Sequence, residues 1–132
     1  MQKGDFIIIT NNPVVRERMG GRCAVLFVEG GYRDVLIKVR DMVYTGHTLY
    51  THPLAGSVKP NDTLYRSIAI SKKPHEFSME LSEIISNSVA VCDKFPVKQR
   101  TLTEKMLRDF QMVDYILIAG AMEFDWAAGL AQ

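Results

Sequence analysis

Residues 6–13 read Phe6-Ile7-Ile8-Ile9-Thr10-Asn11-Asn12-Pro13. Four apolar residues in succession, three of them β-branched, suit a strand covered on both faces, because alternate side chains leave opposite sides of a sheet. The run then stops at residues that favour a turn. Asn is a preferred helix N-cap and Pro a preferred first helical residue, so the spacing predicts a short helix from Pro13, ended by Gly20-Gly21. A buried strand that hands directly into a helix opens an α/β fold.

The rest of the chain extends that pattern. Residues 23–28, Cys-Ala-Val-Leu-Phe-Val, form a second apolar strand closed by Gly30-Gly31. From Tyr32 the period changes: Val35, Leu36, Val39, Met42 and Val43 recur at helical spacing, and Gly46 is a natural stop. Residues 47–51, His-Thr-Leu-Tyr-Thr, are expected to form a third strand. A polar loop over 53–63 and a fourth strand over 65–70 follow. Further on, Phe77, Leu81, Ile84, Ile85, Val89 and Cys92 keep helical phase until Pro96 blocks extension. Thr101-Leu102-Thr103-Glu104 reads as a capping box for a last helix whose face is Met106, Phe110, Val113, Leu117 and Ala121. Residues 115–119 alone could be a strand, but the helical phase runs through them.

Strand, helix, strand, helix, strand is the order that builds parallel sheets through right-handed crossovers. The expected fold is therefore α/β and three-layered. It has a mainly parallel sheet of about four strands, half of a Rossmann or flavodoxin-like arrangement, followed by two C-terminal helices. One domain is expected over residues 1–132.

Composition narrows the class. Hydrophobic residues make up 47%, charged residues 23%, and the mean hydropathy is -0.02, which suits a globular chain rather than a disordered or fibrous one. With 16 basic and 15 acidic residues the net charge is +1, so no broad field draws the protein to nucleic acid or to an anionic membrane. No apolar window approaches the ~20 residues of a membrane span, and the run at 6–9 is too short for a secretory leader, so a cytoplasmic location is expected. Cys23 and Cys92 are far apart and lack metal-ligand spacing, which reads as two thiols acting as small core hydrophobes.

Ligands of open α/β sheets bind beyond the carboxyl ends of the strands. Two polar segments are expected at that edge: Thr10-Asn11-Asn12, and residues 52–61, His-Pro-Leu-Ala-Gly-Ser-Val-Lys-Pro-Asn. A helix start at Pro13, a Gly56-Ser57 turn and the Lys59 charge together suit a carboxylate or phosphate. The expected ligand-binding residues are Thr10, Asn11, Asn12, Arg40, His47, His52, Ser57, Lys59 and Asn61, with Arg66 as a further cation. Arg40-Asp41 reads equally well as an ion pair or loop anchor. Compact loops of this composition can also be rigid scaffolds with internal hydrogen bonds. His47 and His52, five residues apart on a strand, point to opposite faces, so no metal and no cofactor are expected. His52, Ser57 and Lys59 would be the groups of a small hydrolase or transferase, but no nucleophile elbow or phosphate-loop motif is present, and no catalytic residue is assigned.

Three blocks of this sequence resemble the GrdX family: Ile9-Thr10-Asn11-Asn12-Pro13, Arg40-Asp41 with Gly46-His47, and residues 51–61 with Thr63, Tyr65 and Ser67. The family pattern commonly has proline where Leu64 stands and histidine where Tyr44 stands; neither departure removes a charge from the expected crevice. The resemblance implies an accessory protein of the glycine, sarcosine and betaine reductase system of amino-acid-fermenting anaerobes. It transfers no reaction. The partners it suggests are a small anionic metabolite, reductase components, and a second copy through the C-terminal helices.

Overall fold

A computed structural model describes residues 5–54, 63–95 and 101–122. Its elements are β1 (Phe6–Thr10), α1 (Pro13–Met19), β2 (Ala24–Phe27), α2 (Tyr32–Tyr44), β3 (Ser67–Ser71), α3 (Met79–Asp93) and α4 (Glu104–Ala121). The apolar run at 6–9 is the central strand, in the order β2-β1-β3.

Alternation along β1 sorts the core into two layers. Ile9 packs with Ile68 and Ile70 of β3 against Tyr32, Val35, Leu36 and Val39 of α2 and Ile85 and Val89 of α3. Phe6 and Ile8 point the other way, with Ala69, onto Val15 and Met19 of α1 and Tyr115, Ile118 and Ala119 of α4. The register Ile7↔Ile70, Ile8↔Ala69, Ile9↔Ile68 keeps these faces matched between strands.

The expectation of a mainly parallel, four-stranded, Rossmann or flavodoxin-like sheet is overturned. Among the described residues the sheet has three strands and is mixed: β1 pairs with β2 in parallel and with β3 antiparallel. The cause lies in the connection after residue 51. A parallel return needs a crossover, usually a helix, whereas no helix is described between residues 44 and 67, and the chain returns beside itself in the opposite direction. Residues 48–51 do run along the outer edge of β3, through the antiparallel bridge Leu49↔Ile70 and the bond from Ser71 N–H to the Thr48 carbonyl. They do not become a full strand. The amides of Tyr50 and Thr51 both turn to the Ala69 carbonyl, and the Ala69 N–H donates to the Thr51 hydroxyl at 3.0 Å in place of a backbone carbonyl. β3, not this edge, is the neighbour of β1.

The helices differ from expectation in phase. Asn12 caps α1 as read, its Oδ1 accepting the Val14 N–H at 3.0 Å. The cap of α4 is Thr103, which accepts from the Met106 amide at 3.1 Å, so Thr101 lies outside the helix and the expected capping box is displaced. Residues 115–119 are helical. The buried face of α4 is Asp114, Tyr115, Ile118 and Ala119, while Val113 and Leu117, expected inside, are exposed. Both stripes are apolar at helical spacing, and periodicity cannot rank them. No described helix is long and apolar enough to cross a membrane.

Candidate functional site

The end of the sheet where β1 and β2 finish and β3 begins holds a buried polar cluster. Thr10 and Ser67 are register partners, and each lies on the face that points to α4, because alternation sets 6, 8 and 10 with 67, 69 and 71. Their hydroxyl oxygens are 2.6 Å apart. Asp114, on the buried face of α4, reaches down to them. Ser67 Oγ–H donates to Asp114 Oδ2 at 2.6 Å, and Asn12 Nδ2 donates to the same oxygen at 3.0 Å. The Asn12 backbone N–H in turn donates to Thr10 Oγ1 at 2.9 Å. With the Ser67 proton committed to the carboxylate, Thr10 is the donor to Ser67, and every hydrogen bond in the chain points toward Asp114. Burial pushes the Asp114 carboxyl above its ordinary range, while the bonds from Ser67 and Asn12 and the nearby Arg66 charge oppose that rise.

Asn11 does a different job. Its Nδ2 donates to the carbonyls of Gly30 (3.0 Å) and Leu64 (2.7 Å), and its Oδ1 accepts the Arg66 amide (2.9 Å). One side chain thus ties the turns after β1 and β2 to the segment entering β3. That anchoring fixes Arg66, which is itself buried and donates from Nη2 to the His52 carbonyl at 3.4 Å. Tyr65 is held too, its hydroxyl accepting from Gln111 Nε2 at 2.9 Å.

Beside this cluster is a recess of about 220 Å³ lined by Thr51, Arg66, Ser67, Asp114, Leu117, Ile118 and Ala121. It joins a cation and a carboxyl, both nearly buried, to a wall of α4 hydrophobes. At the far end of β3 a wider groove of about 430 Å³ is lined by Asp5, Tyr50, Lys72, Lys73 and His75, whose charged members are exposed.

The residues expected to form one crevice are therefore distributed. Thr10, Asn11 and Asn12 are at the recess end, and the His52 carbonyl joins them through Arg66. The His52 ring turns aside, its Nδ1 accepting the Leu54 amide at 3.0 Å. His47 is at the opposite end, Nδ1 against the Ser71 carbonyl at 2.8 Å. Arg40 lies in the second half of α2 and pairs with its neighbour Asp41 at 3.3 Å. Ser57, Lys59 and Asn61, and with them the Gly56-Ser57 turn, fall outside the described residues. Among the described residues no three His, Cys, Asp or Glu side chains are grouped to hold a metal ion. Cys23 is half-buried, and burial pushes its thiol up, away from the reactive thiolate.

Asp114, Ser67 and Thr51 were absent from the expected site residues, Ser67 and Thr51 entering only through the family resemblance. A signal for the first existed: in residues 112–122, Met-Val-Asp-Tyr-Ile-Leu-Ile-Ala-Gly-Ala-Met, it is the lone charge in an apolar helix. A charge in such a run is either on the outer face or buried with partners, and Tyr115 and Ile118 share its side.

Fold and site together define a small mixed-sheet α/β protein with a polar cluster buried under its last helix. Residues 7–123 match the family model of the GrdX-like protein. The chain belongs to that family. No curated protein and no solved structure matches it.

Proposed function

We propose that this GrdX-like protein is a non-catalytic accessory protein of anaerobic amino-acid fermentation, serving the glycine, sarcosine and betaine reductase system, and that it binds a small carboxylate-bearing metabolite in the Arg66 recess. The setting comes from the family resemblance. The ligand class is drawn from one observation: the buried Arg66 lines a small recess together with Ser67, Asp114 and apolar residues of α4. Guanidinium is planar, permanently charged and matched to carboxylate in its spacing of donors. The recess is smaller than the ~300–1,000 Å³ typical of drug-sized ligands, which favours a metabolite of a few heavy atoms.

The start of α1, attractive in the sequence, is a poorer anion site, since Asn12 Oδ1 already takes the Val14 amide. Ser67 donates its hydroxyl hydrogen bond to the Asp114 carboxyl, which also accepts from Asn12; both side chains are buried, which favours a structural role over nucleophilic attack.

Calorimetric titration with acetate, propionate and inorganic phosphate tests the reading. Propionate is expected to bind, and Arg66→Gln to weaken it at least tenfold. No heat and no thermal stabilisation with any of these anions would sink the ligand proposal. Co-purification with reductase components from an anaerobic host tests the setting separately.

A further inference from the structure

We propose that the groove at the far end of β3 is a second binding site, for a small phosphomonoester, with Lys72, Lys73 and His75 serving the phosphate. It does not depend on the Arg66 recess. The groove holds about 430 Å³, and Asp5, Tyr50, Lys72, Lys73 and His75 line it. Lys72, Lys73 and His75 are exposed, and among the described residues none of the three forms an ion pair. Asp5 joins Lys72 through the backbone instead, its carbonyl accepting the Lys72 N–H at 3.0 Å.

The backbone that carries these groups is fixed. Neighbouring residues of an extended strand leave opposite faces, yet Lys72 and Lys73 line one groove. The turn after β3 brings them together, and Ser71 sets that turn. Its Oγ accepts the Thr48 N–H and donates to the Lys73 carbonyl, both at 2.8 Å. The His75 N–H donates to the Gly46 carbonyl at 2.8 Å, and the His47 ring lies against the Ser71 carbonyl. Tyr50 is placed by the core, packed against the cluster that contains Phe6, Ile8 and Tyr115. A backbone ordered beforehand lowers the entropy lost on binding.

Charge and size choose the ligand. Two ammonium groups against one carboxylate leave a local excess of positive charge in a chain that is otherwise nearly balanced. Each ammonium is a point charge with three donors, and the histidine ring adds an N–H, a set suited to the several oxygens of a phosphate dianion. A carboxylate brings a single charge and two oxygens. The volume lies within the ~300–1,000 Å³ of small-molecule sites, so the groove has room for an organic group beside the phosphate. Tyr50 brings an aromatic ring to that lining.

Calorimetric titration of the full chain with phenyl phosphate, inorganic phosphate and benzoate tests the assignment. Phenyl phosphate is expected to bind at least tenfold more tightly than benzoate, and more tightly than inorganic phosphate. Lys72→Ala with Lys73→Ala should weaken phenyl phosphate at least tenfold, while Arg66→Gln leaves it unchanged. Should the alanine pair fail to fold, Lys72→Gln with Lys73→Gln takes its place, with the same loss expected. No heat from phenyl phosphate, equal binding of benzoate or inorganic phosphate, or a titration indifferent to loss of both lysines would overturn the proposal. The Arg66 reading is decided separately, by propionate and Arg66→Gln.

Discussion

At the end of the sheet where β1 finishes, side chains do the joining. Asn11 links three loops, and Asn12 and Ser67 donate to Asp114 of the helix above, with Thr10 donating to Ser67. At the other end, where β3 finishes, backbone bonds do most of the joining, helped by Ser71 Oγ, which accepts the Thr48 N–H and donates to the Lys73 carbonyl, and by the His47 ring against the Ser71 carbonyl. The Gly46 carbonyl accepts from His75 N–H at 2.8 Å, the Asp5 carbonyl from Lys72 N–H at 3.0 Å, and the charged side chains around the groove stay in solvent. A side-chain network is specific to its residue types and sensitive to protonation. A backbone closure depends on conformation and is indifferent to the charges around it. The difference makes the first end the more sensitive to residue type and protonation, and the second the more sensitive to backbone conformation.

Each prediction tests that contrast. Asp114→Ala should have the largest effect, about 3 kcal/mol lost in chemical denaturation, because it strips the common acceptor from Ser67 and Asn12 under a packed helix. A loss below ~0.5 kcal/mol, the level of an ordinary surface change, would mean that the cluster is incidental. Gly46→Ala should follow, at about 2 kcal/mol, for a purely conformational reason. Gly46 has φ 110°, and a Cβ there would stand 2.1 Å from the His75 carbonyl oxygen. Asn12→Ala should cost about 1–2 kcal/mol, since it removes the α1 cap as well as one donor to Asp114.

The pH response sharpens the same comparison. The folded-state pKa of Asp114 is raised by burial, so the folded state binds a proton more readily than the unfolded chain. Its contribution to stability is therefore fully present below the unfolded carboxylate value of about 3.9 and is lost as pH rises through the higher folded value. Removing the carboxyl with Asp114→Asn should flatten this component: the stability difference between variant and parent should change across that window and level off above it. A constant difference across the window would count against a titrating Asp114. The smallest effect belongs to the opposite end. Lys72→Ala with Lys73→Ala should stay within about 0.5 kcal/mol, as solvated charges contribute little.

Much of this architecture is legible one element at a time. The β-branched run before Asn12-Pro13 is a strand leading into a capped helix, and the 3.6-residue period after Tyr32 is α2. Legibility fails where two readings share a local pattern. On α4, residues 113 and 117 recur at helical spacing just as 115 and 118 do, and only the fit of Tyr115 against Phe6 and Ile8 decides which stripe is buried. At residues 48–51 the composition is that of a strand, yet a threonine hydroxyl replaces a backbone carbonyl and the ladder stops. Of the expected site, Thr10, Asn11 and Asn12 were singled out by their turn chemistry and belong to the buried hydrogen-bonded cluster. His47 and Arg40 were placed with them, but His47 stands at the other end of the sheet against the Ser71 carbonyl and Arg40 pairs with Asp41, because a helix that returns from the strand ends finishes at the opposite edge.

The sequence by itself determined the short-range features: where strands and helices begin, which residues cap them, and that an Asn-rich turn follows the first strand. These depend on side chains and backbone within a few positions of one another. Strand order, the direction of β3 and the inward turn of Asp114 depend on contacts across 47 to 102 residues of chain, between Ser67 and Asp114 and between Asn12 and Asp114. Such contacts are chosen by which apolar faces pack together, and no local pattern records that choice. For that reason the Thr10-Asn11-Asn12 turn was visible in the sequence, while the carboxyl that gives the turn its chemistry came from the fold.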